Sequence, residues 1–289
     1  MTDESTSNRE KSGGAKTSPK PDLASWTGLL VGLGAIIGGL LIEGGQIKDV
    51  AQFTAAIIVL GGTAGAVMVS TPMPVLKGGL RRLMGVFMDG SPNLHQLTED
   101  VIGYATQARK NGLVSLEQEA LEIQDPFLRK ALTLAVDGTD LQDLRRMLEL
   151  EIALEEQHAE AEAKVFESAG GYSPTVGIIG AVMGLIQVMK NLANIDEVGR
   201  GIAVSFVATL YGVGSANLFF LPAAAKIKAR AHAETMRKEL ILEGVAAIVE
   251  GLNPKLIRAK LEAFAPQMPA RQKKAAPAEA PQATAPAEV

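Results

Sequence analysis

Four runs of this chain carry no ionisable side chain: residues 23–42 (20 residues), 50–76 (27), 169–189 (21) and 201–225 (25). An α-helix rises about 1.5 Å per residue, so about 20 residues cross a hydrocarbon layer roughly 30 Å thick. In lipid the backbone must satisfy its own hydrogen bonds, which makes each such run a helix. A water-soluble helical protein rarely needs four elements this apolar. The expected fold is therefore all-α, a polytopic membrane protein with four transmembrane helices.

Lysine and arginine orient the spans, because they gather on the cytoplasmic side. Arg9, Lys11, Lys16 and Lys20 precede the first run, Lys77, Arg81 and Arg82 follow the second, and Lys164 precedes the third. Lys226, Lys228, Arg230, Arg237 and Lys238 follow the fourth, whereas the connections 43–49 and 190–200 hold only Lys48, Lys190 and Arg200. Both termini and the segment 77–168 are expected in the cytoplasm, with two tight periplasmic loops outside. Residues 1–22 are polar and rich in Ser, Gly and charge, and 266–289 are rich in Ala and Pro; both read as disordered tails.

Segment 77–168 holds 10 basic and 17 acidic side chains and reads as a helical cytoplasmic domain between spans two and three. Ser91-Pro92 predicts a helix through about Lys110 that Gly112 stops, and Asp125-Pro126 opens another that Asp137-Gly138 closes. Leu141, Leu144, Leu148, Ile152 and Val165 recur at helical spacing, which predicts one long helix running into span three. Residues 226–265 continue as cytoplasmic helices, with Asn253-Pro254 capping the last.

Other classes fall away by composition. There is no cysteine and only 3 histidines, which leaves no thiolate chemistry and almost nothing for zinc. A net charge of −4 offers no broad basic surface for nucleic acid. No phosphate-binding loop, zinc-protease or nucleophile-elbow motif occurs, so neither an enzyme nor a cofactor is expected. Glu155, Glu156, His158 and Glu160 face several directions on an acidic helix and read as a solvated face.

No Asp, Glu, Lys, Arg or His lies within the four spans, although ion pumps usually place one at membrane depth. This chain alone has no carboxylate to carry a proton; either it transports nothing or a second protein supplies the titrating group. Polar atoms gather instead in the last two spans: Tyr172, Ser173 and Thr175 in one, and Ser205, Thr209, Tyr211, Ser215 and Asn217 in the other. Each hydroxyl could bond a carbonyl of its own helix, but the clustering suggests a polar lining. Pro174 and Pro222 each remove a backbone hydrogen bond and are expected to act as hinges near the cytoplasmic side. Gly28/Gly32, Gly34/Gly38, Gly61/Gly65 and Gly180/Gly184 repeat at four residues and predict close helix packing.

The stretches PDLASWTGLLVGLGAIIGGLLIEGG, IVLGGTAGAVMVS, SPTVGIIGAVMGLI and GIAVSFVATLYGVGSANLFFLPAA resemble the MotA family of flagellar motor stator subunits, within the wider MotA/TolQ/ExbB proton channels. The likeness covers about residues 21–265. It implies a homopentamer in the bacterial inner membrane around the helices of a single-span MotB-like partner, whose aspartate binds the ion. It also implies a rotor protein, FliG, met by the cytoplasmic domain. By this resemblance Pro174 and Pro222 match the prolines of conformational coupling. Arg109 and Glu117, within QARKNGLVSLE, match the charged pair of rotor contact; read alone, both could be solvated surface charges.

Sodium-driven relatives of the family carry threonine where Ala181 and Ala208 stand, while sharing Thr209. Sodium wants several oxygen ligands, whereas a proton needs a carboxylate and a water path. The chain is therefore expected to conduct protons along a path lined by Thr209, Ala181, Ala208, Ser205, Thr175 and Tyr211. A TolQ/ExbB-like energiser of another envelope machine and a non-conducting scaffold are the alternatives.

Overall fold

The structure is a computed structural model, described over residues 20–86, 88–89 and 94–264. Most of both tails and the Ser91-Pro92 helix start lie outside the described residues. Of the residues expected in the N-terminal tail, Lys20–Pro21 pairs antiparallel with Met88–Asp89, in the register Lys20 to Asp89, and Asp22 caps the first helix.

Among the described residues twelve α-helices follow in chain order: α1 (Leu23–Ile42), α2 (Ile47–Val50), α3 (Phe53–Ala56), α4 (Gly62–Ser70), α5 (Met73–Val86), α6 (Leu94–Asn111), α7 (Glu117–Glu122), α8 (Pro126–Val136), α9 (Leu141–Lys190), α10 (Ile195–Ser215), α11 (Leu221–Val249) and α12 (Pro254–Glu262). A π-helical turn, Ile57–Gly61, joins α3 to α4, and another, Ala216–Phe220, joins α10 to α11. Among the described residues four helical stretches are long and apolar enough to cross a membrane: Leu23–Ile42, Ile47–Ser70, Leu141–Lys190 and Ile195–Val249. The chain is a multi-pass, all-α membrane protein.

It divides into two compact units, Met1–Pro92 with Glu149–Thr235, and Asn93–Leu148 with Met236–Val289; the boundaries at 148/149 and 235/236 fall inside α9 and α11. In the first unit α1 buries no residue at all, as expected of a helix meant for lipid. Its N-cap, Asp22, accepts from the Ala24 amide at 3.1 Å and also takes the Lys226 ammonium. The second span breaks at Thr71, extended (φ −130°, ψ 130°) as a residue before proline prefers, and α5 begins afresh. Arg82 of α5 pairs with Glu162 of α9. Val67, Val165, Phe166, Ala224 and Ile227 form an apolar cluster, with Val75, Leu76 and Leu83 packed on it.

The second unit has an ordinary water-soluble core: Val101, Leu116, Leu132, Leu144, Leu148, Leu240, Ile241, Val245, Ile257 and Leu261 are fully buried. Its helix ends carry local signals. Asp125 accepts from the Phe127 and Leu128 amides at 2.9 and 3.0 Å and caps α8. Gly112 stands at φ +84° between α6 and a 3₁₀ turn, Leu113–Leu116, a conformation that favours glycine. The Lys238 ammonium, almost wholly buried, lies 4.9 Å from the centre of the Phe127 ring.

Candidate functional site

Span three presents Ser173, Gly177, Gly180 and Gly184 at steps of four, three and four, which is one helix face. Span four presents Gly201, Ser205, Ala208, Gly212 and Ser215 in the same rhythm. The two faces meet antiparallel. A Cβ on Gly177 would lie 2.9 Å from the Ala208 carbonyl oxygen and 3.1 Å from the Gly212 Cα. One on Gly212 would lie 2.6 Å from the Ser173 carbonyl oxygen. One on Gly180 would lie 2.8 Å from the Ala208 Cβ, and one on Gly201 3.0 Å from the Gly184 carbonyl oxygen. Backbone therefore touches backbone along the whole seam. Lipid offers no hydrophobic drive for helices to associate, so close van der Waals packing and interhelical hydrogen bonds must hold this pair.

Two hydroxyls supply those bonds. Ser205 Oγ lies 2.8 Å from the Ala181 carbonyl across the seam and 3.1 Å from the Gly201 carbonyl of its own helix, and donates its one proton between them. Ser173 Oγ, fully buried, lies 2.7 Å from Ser215 Oγ. Gly177, Gly201 and Gly212 were not singled out by counting four-residue glycine repeats inside each helix. Counting every small residue at mixed steps of three and four, and matching α9 against α10 head to tail, reveals the complete seam.

The residues expected to line an ion path separate into groups. Ala208 is fully buried and Ser205 nearly so, both in the seam beside the half-buried Ala181. Thr209 is half-buried, its hydroxyl donating to the Ser205 carbonyl at 3.3 Å within its own helix. Thr175 is exposed and donates to the Tyr172 carbonyl at 2.7 Å. Tyr211 faces the second span instead: its hydroxyl donates to the Val50 carbonyl at 2.5 Å and accepts from the Gln52 amide at 3.3 Å. That bond crosses to the extended residues where α2 gives way to α3. In one chain these six side chains do not share a single face. Each hydroxyl has given its proton to a carbonyl, but its oxygen keeps lone pairs that can face water or a cation.

The two prolines expected to act as hinges sit in different local geometries. Pro174 lies inside the unbroken helix α9, immediately after the Ser173–Ser215 contact. Pro222 is the second residue of α11, directly after the π-helical turn Ala216–Phe220. A proline ring clashes with the carbonyl four residues earlier, here that of Leu218 inside the turn, and the wider turn gives it room. Another buried hydroxyl, Thr63 of α4, has no hydrogen-bond partner for its Oγ1 among the described residues.

In the other unit, Arg109 lies in the last turn of α6 and Glu117 begins α7, both exposed, on either side of the Gly112 turn. Arg109 lines a small cavity of ≈ 240 Å³ with Leu113, Ile248 and Leu252. Below it Glu243 anchors the bundle. The Arg145 guanidinium grips its carboxylate at 2.6 and 3.2 Å, Lys260 adds a contact at 2.6 Å, and together they hold its pKa down to about 2 against partial burial.

An apolar four-span chain with a glycine-built seam between its last two spans, and no acid in any span, can now be compared with known proteins. The model of the MotA/TolQ/ExbB proton channel family matches residues 119–240, and that of the motility protein A N-terminal region matches 26–110. Protein YtxD of Bacillus subtilis is 34% identical over 245 residues, covering 84% of this chain and 90% of that one. The chain belongs to the MotA/TolQ/ExbB proton channel family. Motility protein A of Bacillus subtilis is 32% identical over 246 residues, covering 85% of this chain and 91% of that one. The solved flagellar MotAB stator complex of the same organism superposes with a TM-score of 0.78 at 31% identity, over 86% of this chain and 96% of that one. The two family models cover both seam helices and Arg109, while Glu117 falls between the matched ranges.

Proposed function

We propose that this chain is the proton-guiding stator subunit of a bacterial flagellar motor, working with a MotB-like single-span partner. The observation that carries the reading is the pairing of a tightly built α9–α10 seam with uncharged runs in all four spans that hold no Asp, Glu, Lys, Arg or His. The chain shapes the path and the partner's aspartate carries the proton. Thr209, Ser205, Thr175 and Tyr211 offer oxygens along that path, and Ala181 and Ala208 withhold the two that a sodium site would use.

In this reading several copies, arranged as a pentamer, surround the partner's helices in the inner membrane, with both termini in the cytoplasm. Protonation of the partner's acid shifts α9 at Pro174 and α11 at Pro222, and Arg109 and Glu117 meet the rotor protein FliG. One elementary charge crossing 100 mV releases about 2.3 kcal/mol, only a few times thermal energy, so torque requires many ions and stiff coupling. The test is complementation. Expressed with its partner in flagellated cells lacking every stator gene, this chain should restore swimming whose speed does not change with sodium concentration. Cells that stay paralysed, or that swim only with sodium, would overturn the proposal.

A further inference from the structure

A cavity of ≈ 300 Å³ opens in the first unit where α9 ends and α10 begins. α3 contributes Thr54 to its wall, α9 contributes Gly184 and Gln187, and α10 contributes Glu197, Gly201 and Val204. From Glu197 to Val204 the helix rises roughly 10 Å at about 1.5 Å per residue, a third of a hydrocarbon layer about 30 Å thick. The floor lies on the seam. Gly184 and Gly201 belong to both, and a Cβ on Gly184 would strike the Ser205 hydroxyl.

Charge enters only at the mouth. Glu197 Oε1 lies 3.2 Å from Arg200 Nη1, and the carboxylate side chain is 33% exposed against 69% for the arginine, so the acid is the more enclosed. α3, the first π-helical turn and α9 bring no charged side chain to the cavity. We infer that this cavity is the proton entrance on the periplasmic side and that Glu197 collects the proton there; the inference rests on the stator reading. A hydronium ion outside gives its proton to the Glu197 carboxylate and leaves as water. The carboxyl group passes that proton to a water inside the cavity, which becomes hydronium beside the seam, and the carboxylate is restored. Thr54 and Gln187 offer a hydroxyl and an amide to hold the waters between. Hydronium is scarce at neutral pH, and an acid at the mouth of a low-dielectric cleft raises cation capture by about 10–10³-fold. Arg200 takes no part in the transfer and only orients the carboxylate from the rim. A pair that merely fastened the first turn of α10 would lose equally when broken from either end.

Proton flux into sealed vesicles holding the intact complex with its single-span partner tests this. Glu197→Gln should cut flux about tenfold at an external pH of about 7.5 and regain it at about 5.5, where protons are about 100-fold more abundant. Arg200→Gln should stay within about twofold of the wild type, because an exposed pair adds little to stability and the acid remains. Val204→Cys, at the floor of the cavity in a chain without native cysteine, should react with a charged, membrane-impermeant thiosulfonate added on the periplasmic side. That labelling decides the matter should Glu197→Gln fail to assemble. Equal losses in the two charge variants, or an unreactive thiol in Val204→Cys, would overturn the entrance. A wild-type complex without flux would overturn the stator reading and the entrance together, whereas wild-type flux that Glu197→Gln leaves intact would overturn the entrance alone.

Discussion

Replacing Gly212 by alanine adds one methyl group, and the seam geometry says where it goes. The new Cβ meets the Ser173 carbonyl oxygen at 2.6 Å, the Gly177 Cα at 3.0 Å and the Pro174 Cα at 3.3 Å. All three are backbone atoms, so no rotamer change can relieve the contact. To move from 2.6 Å to ordinary contact at 3.4 Å, α9 and α10 must part by roughly 0.8 Å at this level. Alanine improves a helix by about 1 kcal/mol over glycine, whereas overpacking a close-packed contact costs about 1–3 kcal/mol. The net expectation is a loss of up to ~2 kcal/mol, with the Ser173–Ser215 bond of 2.7 Å stretched beside Pro174. Gly199→Ala is the control on the same helix, since its Cβ has nothing within 4 Å. Thermal unfolding of the purified complex, read beside swimming speed, should show Gly212→Ala lowered in both and Gly199→Ala unchanged or stabilised. If the two variants behave alike, the seam is not what holds spans three and four together.

Two further outcomes follow from single contacts. Tyr211→Phe removes the donor to the Val50 carbonyl and one of the two acceptors of the Gln52 amide, which also bonds the Val50 carbonyl at 3.1 Å. It should lower the stability of the complex by about 0.5–1.5 kcal/mol in a thermal melt, and proteolysis should cut faster around residues 50–52. Glu243 titrates near its ordinary 4.5 when unfolded but at about 2 when folded. Its stabilising effect is therefore complete above pH 4.5 and is lost as pH falls from there toward 2. Glu243→Gln should flatten that acid limb in a pH series of unfolding curves and lower stability at neutral pH; an unchanged limb would refute the role of the Arg145–Glu243–Lys260 cluster.

The spans were legible because charge is so costly in lipid that its absence over 20 or more residues has few explanations. Helix ends with a local cause could be read as well: the Asp125 and Asn253 caps act through their own side chains, and Gly112 through its left-handed φ of +84°. The π-helical turns could not, since Ile57–Gly61 contains no proline and its one glycine reads as close packing in a span where glycine recurs. The partner of each hydroxyl was hidden for a different reason. Tyr211 bonds residues 161 and 159 positions away, and Ser173 bonds Ser215 42 positions away. A sequence shows that a hydroxyl needs an acceptor; which acceptor depends on how the helices pack. The seam lies between these cases, visible once small residues on two helices are read together.

The central claim is that these helices guide a proton whose acid resides on another protein. Purified complex in sealed vesicles with an imposed potential tests it through internal pH. The account predicts no proton flux from this chain alone, flux once the single-span partner is present, and loss of that flux when the partner's membrane aspartate becomes asparagine. Steady, selective proton flux through this chain without any partner would contradict it.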